Sequence, residues 1–112
     1  MMREHGDEAI RRVREGVERG LAAAGEAGAA AVRETMERGY GEPIRRSGAL
    51  MESIGWAAED GRVAVGTNIP YGELVHNGTS RVAGRPFLAD GLARGAPEMA
   101  RRLGEELAAA ME

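Results

Sequence analysis

Between Asp7 and Arg38 the apolar residues Ile10, Val13, Val17, Leu21, Ala24, Ala27, Ala31 or Val32, and Met36 return every three or four positions. That period predicts one long helix with an apolar stripe. The same run contains Gly16, Gly20, Gly25 and Gly28, and each costs up to about 1 kcal/mol relative to alanine in a helix interior. A helix that carries four such residues needs an offset. Either it kinks and frays near "AAAGEAGAAA", or its small face lets another backbone approach closely. Asp7 is the expected N-cap, and Gly39 with Pro43 behind it the expected stop. About 30 helical residues would span roughly 45 Å. The step from Gly16 to Gly20 resembles a membrane dimer motif, but its flanks, "RRVREGVERG", are too charged for a span.

After a connector, "GYGEPIRRSG", Ser47 is placed to cap a short helical turn through "GALMES". The clearest strand signal follows in "SIGWAAEDGRVAVGT". Asp60-Gly61 between two alternating runs is the sequence of a two-residue type I′ hairpin turn. Pairing Glu59 with Arg62 sets Ala58 opposite Val63, Trp56 opposite Val65 and Ile54 opposite Thr67. Directly opposed residues share a face, so one side of the hairpin is apolar. Helical spacing returns through Leu88, Leu92, Met99, Leu103, Leu107 and Met111. Pro86 suits the first turn of that helix, and Pro97 is expected to mark a kink or a fresh start after Gly95. The expected fold is α+β in one domain over 1–112: a long helix (1–38), a core region (47–92) with a small antiparallel sheet built on the hairpin, and a C-terminal helix (93–112) packed on the sheet.

Only four of the 112 residues are aromatic, and much of the apolar count is alanine, so the core is thin for the chain's length and self-association is expected. No run approaches about 18 consecutive apolar residues, and the charged start, "MMREHGDEAIRRVREG", is unlike a secretory leader. Together these lead to the expectation of a cytoplasmic product. The net charge is −3, although all fifteen basic residues are arginine. Residues 1–46 carry nine basic and nine acidic side chains, and residues 47–112 six and nine. Neither half has the charge of a general nucleic-acid binder.

Cysteine is absent, which excludes thiolate catalysis and cysteine-ligated metal. There is no GxxxxGK[ST] loop and no GxGxxG after a strand, and Ser80 lacks the G-x-S-x-G elbow. The two histidines, His5 and His76, are not in a metal-ligand spacing. No catalytic, cofactor-binding or metal site is expected, and the chain is not expected to be an enzyme. The stretch "PYGELVHNGTSRVAGRPFL" at 70–88 shows little periodicity and reads as a loop, with Phe87 and Leu88 tying it to the core. Thr79 and Ser80 are loop hydroxyls that bond to backbone. Arg81 and Arg85 flank "VAG", either as solubilising charges or as contacts to carboxylates or phosphates of a partner.

Ser47-Gly48-Ala49-Leu50 with Ser53-Ile54, then Tyr71, Val75, Gly78-Thr79 and Arg85-Pro86-Phe87-Leu88, follow in an order and spacing that resembles the small tail-component family of long-tailed, HK-type double-stranded DNA bacteriophages. The pattern covers roughly residues 47–92. Gly72 stands where the family has a small alanine, His76 where a glutamate is common, and "VAGRPF" where "MPARPF" is more typical. The resemblance implies a tail-completion or neck subunit, made in the host cytoplasm and carried in the virion. Such subunits form rings, commonly sixfold, between head-closure or portal-side proteins and tail-tube or tail-terminator proteins. A tail terminator or minor tail subunit is the alternative, and a module that touches DNA in the neck channel is a third reading. Ring closure requires two complementary faces on each subunit. The expected contacts are the loop residues His76, Gly78, Thr79, Arg81 and Arg85, and the small face of the first helix.

Overall fold

The first helix is the platform on which the rest of the chain is assembled. In the computed structural model, which describes residues 2–40, 48–69, 71–78 and 84–112, helix α1 covers Met2–Arg38 and runs without a break through all four glycines of its stripe. It begins earlier than expected. Asp7 is an exposed interior residue rather than the N-cap, because the apolar period that located the start begins only at Ile10, whereas the residues ahead of it are mostly good helix formers. The other end is where Gly39 placed it: the Gly39 N–H donates to the Thr35 carbonyl at 2.8 Å and closes the last turn.

Five further elements follow among the described residues: α2 (Gly48–Ser53), β1 (Gly55–Glu59), β2 (Arg62–Gly66), α3 (Tyr71–Asn77) and α4 (Phe87–Ala110). Strands β1 and β2 pair in the register expected from the turn, from Glu59↔Arg62 through Ala58↔Val63 and Trp56↔Val65 to Gly55↔Gly66. Asp60 and Gly61 have φ of 52° and 74°, the left-handed pair that a type I′ turn demands. The fold is α+β, as expected. Within it α4 makes its main packing surface against α1 rather than against the sheet. Pro97 lies inside α4, which continues through it without a fresh start.

The glycines decide the offset question. A Cβ added at Gly16 would come within 2.5 Å of Ala110 Cβ, one at Gly95 within 2.7 Å of Ala31 Cβ, and one at Gly91 within 2.6 Å of Val32 Cα. Partners descend along α4 as they ascend along α1, so the two helices are antiparallel with glycines of both on the seam. Gly25 lies under the Trp56 ring, 2.6 Å from Cδ2 by the same measure, and Gly28 lies under Met99 and Val65. The small face therefore exists for close packing, and the contact replaces what each glycine costs the isolated helix. It is covered within the subunit by α4 and the hairpin, so it is not the free ring contact expected from the sequence.

The core gathers at one end. Ala29, Val32 and Met36 of α1 meet Leu50, Ile54 and Phe87, with Tyr40, Met51, Val65, Ile69, Val75, Leu88 and Leu92 packed around them. Arg33 supports this end structurally, donating from Nη2 to the Ile54 carbonyl at 2.6 Å and from Nε to the Met51 carbonyl at 3.3 Å, where α2 finishes. Toward its other end α1 runs past the end of α4. The resulting particle measures 67 × 23 × 21 Å with a radius of gyration of 17.7 Å, against about 13 Å for a compact chain of this length. Its exposed surface is 7743 Å², where about 6,000 Å² is usual for this mass.

Candidate functional site

The segment read as a loop between 70 and 88 contains the helix α3, Tyr71–Asn77. Two turns interrupted by Gly72 are too short for an apolar period to emerge, which is why the sequence hid it. His76 therefore stands in the last turn of a helix and not in a loop. Gly78 follows with φ 79°, the left-handed conformation that commonly ends a helix. On the far side of residues 79–83 the chain returns to α3. Arg85 N–H donates to the Val75 carbonyl at 2.8 Å, and a Cβ at Gly84 would lie 2.5 Å from the Asn77 carbonyl carbon. The two ends of that short segment are thus clamped together at the start of α4. Thr79 and Arg81, with Ser80, lie outside the described residues, as does the proposed cap Ser47.

His76 is committed locally. Its ring meets Phe87 edge to face, centroids 5.5 Å apart at 75°. Nδ1 lies 3.0 Å from Asn77 Oδ1, and Ala89 N–H points at Nε2 at 3.4 Å. The two contacts assign the Nδ1–H tautomer, donating to Asn77 and accepting from Ala89. Helix α4 starts after Pro86, which has no side-chain group to cap it. The imidazole supplies that missing acceptor from a neighbouring helix, for an N–H that would otherwise lack a partner.

Arg85 belongs to a second group that the sequence did not bring together. Tyr40 Oη, just beyond α1, donates to Asp90 Oδ2 in the first turn of α4 at 2.7 Å. Burial, and then the hydrogen bond and charge of Asp90, push the Tyr40 hydroxyl up to about 12, while Arg94 and Arg85 are near enough to pull the other way. Arg94 also lines a cleft of about 260 Å³ with Ala31, Glu34, Thr35 and Arg38. Arg38, Arg85 and Arg94 thus give this end of the molecule a group of guanidinium donors, with Asp90 and Glu34 as nearby carboxylates. Arg94 was legible only as one more charge on a helix face. Its meeting with Tyr40, over fifty residues earlier, has no local sequence signal.

A shallow depression of about 350 Å³ opens beside His76, lined by Thr67, Asn68, Ile69, Gly72, Asn77 and Leu88. Its hydroxyl is occupied. Thr67 Oγ1 accepts from Ile69 N–H at 3.1 Å and bonds to Ser53 Oγ, which donates to the Leu50 carbonyl. The described residues hold no group of three or more potential metal-ligating side chains, and none of their helices is long and apolar enough to cross a membrane. Chemically, this end can offer guanidinium donors to carboxylates or phosphates. Comparison of the chain with protein-family models, curated proteins and solved structures found no match.

Proposed function

We propose that the chain is a structural subunit of a phage or prophage head–tail junction, of the small tail-component type that its motif order resembles. In this reading it completes a ring between the head connector and the tail, and the segment from His76 to Arg85, with Arg81 and Arg85, is one subunit or partner contact. One observation carries most weight. The motif residues Leu50, Ile54 and Phe87 are separated along the chain by up to 37 positions and are buried in a single cluster, with Val75 and Leu88 against it. These apolar motif positions thus contribute to one core, which is compatible with their belonging to one signature. The thin, elongated body and the low aromatic content also suit a subunit whose burial is completed by neighbours.

The experiment is a complementation assay for head–tail joining with Arg81→Glu plus Arg85→Glu. Both charges are reversed in that segment, so a partner carboxylate or phosphate would meet repulsion, while the core cluster is untouched. Joining is expected to be lost with the circular dichroism of the free protein preserved and its thermal transition lowered only slightly, by the new carboxylate near Asp90. A double variant that joins particles normally removes this segment from the mechanism.

A further inference from the structure

The α1 seam does not stop where α4 stops. Gly6, Ile10, Val13 and Val17 extend the same side of α1 at helical spacing, Val13 lying two turns before the seam residue Gly20. Ile10 is 60% and Val13 41% exposed, and Met111, where α4 finishes, is 76% exposed. Open space faces the Cβ position of Gly6. To one side of this stripe stands the end of α4. To the other is a trough of about 660 Å³ between α1 and the hairpin tip, with Val17, Leu21 and Trp56 in its walls beside the charged Arg14, Glu18 and Glu59.

We propose that a second copy of this chain covers the stripe, its α1 lying antiparallel to the first. The charge pattern of α1 favours this pairing. An antiparallel pair sets Ile10 opposite Val13 of the second copy, and Gly6 opposite its Val17, each contact occurring twice by symmetry. In that register the positions that flank the apolar layers on one side are Asp7 and Arg14, and each meets the other across the two-fold axis. On the second flank Ala9 is small and Gly16 is already covered by Ala110 of its own chain, so the second copy is bounded on that side by the end of α4. A parallel, in-register pair would set Arg14 beside Ala9 instead, so the charges select the antiparallel arrangement. Arg14 makes no ion pair among the described residues, whereas Arg11 is already held by Glu8 on the same helix. The start of the second α1 then runs into the trough beside Trp56. Such a pair is isologous and closes on itself, so it hides an apolar face of the free protein and neither needs nor supplies the ring contacts. It is independent of the phage reading.

Sedimentation equilibrium of the full chain over a wide concentration range tests it. The wild type is expected to dimerise. Val13→Asp is expected to weaken the dimer roughly tenfold or more, since it places an unpaired carboxylate in the apolar layer. Asp7→Arg and Arg14→Asp should each weaken it by roughly three- to tenfold, and the combined variant should recover most of the loss. A wild type that stays monomeric overturns the proposal. So does a dimer indifferent to Val13→Asp. If the combined charge reversal is no better than either single one, the antiparallel register is wrong and the proposal fails. All three positions are exposed, and circular dichroism separates a lost dimer from a lost helix. Should Val13→Asp unfold, the charge variants decide alone.

Discussion

The two halves of α1 share one apolar period and live in different surroundings. From Gly16 to Met36 the stripe is roofed by α4 on one side and by the hairpin on another, and Ala24, Ala27, Ala29, Val32 and Met36 are buried. From Asp7 to Glu15 the helix is exposed. Periodicity reports that a helix has an apolar face and is silent on what covers it. The glycines speak to that second question, because those on the covered half face α4 or the side chains of Trp56, Met99 and Val65 at close range. Their meaning comes from the neighbour, so the same substitution must have opposite effects at the two ends.

Gly91→Ala is the largest of these tests. The new methyl would sit 2.6 Å from Val32 Cα and 3.1 Å from Val32 N, and backbone atoms in the middle of α1 cannot move aside as a side-chain tip would. Overpacking costs about 1–3 kcal/mol, against backbone the upper part of that range, about 2–3 kcal/mol, and the intrinsic gain of alanine over glycine in a helix, about 1 kcal/mol, recovers part of it. The expected net loss is about 1–2 kcal/mol, a fall of very roughly 4–16 °C in melting temperature. An unchanged or higher midpoint in urea would break the comparison, because it would mean that the α1–α4 seam is looser than the glycines indicate.

The hairpin and the segment after it show what made one part of the fold legible and another not. The hairpin was readable because a single local device, Asp60-Gly61, fixes the register of every pair behind it, and period-2 alternation then fixes the face. Helix α3 offers neither device, having seven residues and a glycine in second place. The candidate site was harder still. His76 and Arg85 were visible as unusual residues, but the Ala89 N–H that His76 accepts from and the Tyr40–Asp90 pair beside Arg85 come from other elements. Which histidine caps which helix is a fact of tertiary packing, with no echo at short range. The expectation that the small face of α1 would be free failed for the same reason, since its occupant lies some seventy residues downstream.

Tyr40 marks the end of the covered half, and Tyr40→Phe removes its bond to Asp90. At neutral pH the expected cost is about 1 kcal/mol for one partly buried hydrogen bond to a charged acceptor. The pH dependence sharpens the test. Ionisation is opposed in the folded state, with the hydroxyl at about 12 against an ordinary 10.0. The tyrosine's contribution is therefore complete below about pH 10, and it is lost as pH rises from there through about 12. The wild type should lose stability over that window by more than Tyr40→Phe does, and the gap between the two denaturation curves should narrow. Tyrosinate absorbance should show one group of the two tyrosines titrating late only while the chain is folded. Parallel alkaline curves for the two proteins would place Tyr40 in water.

Gly6→Ala has the smallest expected effect and the opposite sign. Nothing lies within 4 Å of the Cβ position, so alanine adds no clash and removes the extra backbone freedom of the unfolded glycine. In a helix interior the gain would approach 1 kcal/mol, but helix ends fray, so about 0.3–0.7 kcal/mol of stabilisation is expected. Measured at high dilution, that gain belongs to the helix alone. At concentrations where two copies pair, the methyl enters the layer opposite Val17 of the second copy, where it either fills space or holds the helices apart. A stability change that depends on protein concentration for Gly6→Ala, but not for Gly91→Ala, would place the second copy at the open end of α1. A destabilisation at high dilution would instead mean that the open end is already covered within a single chain.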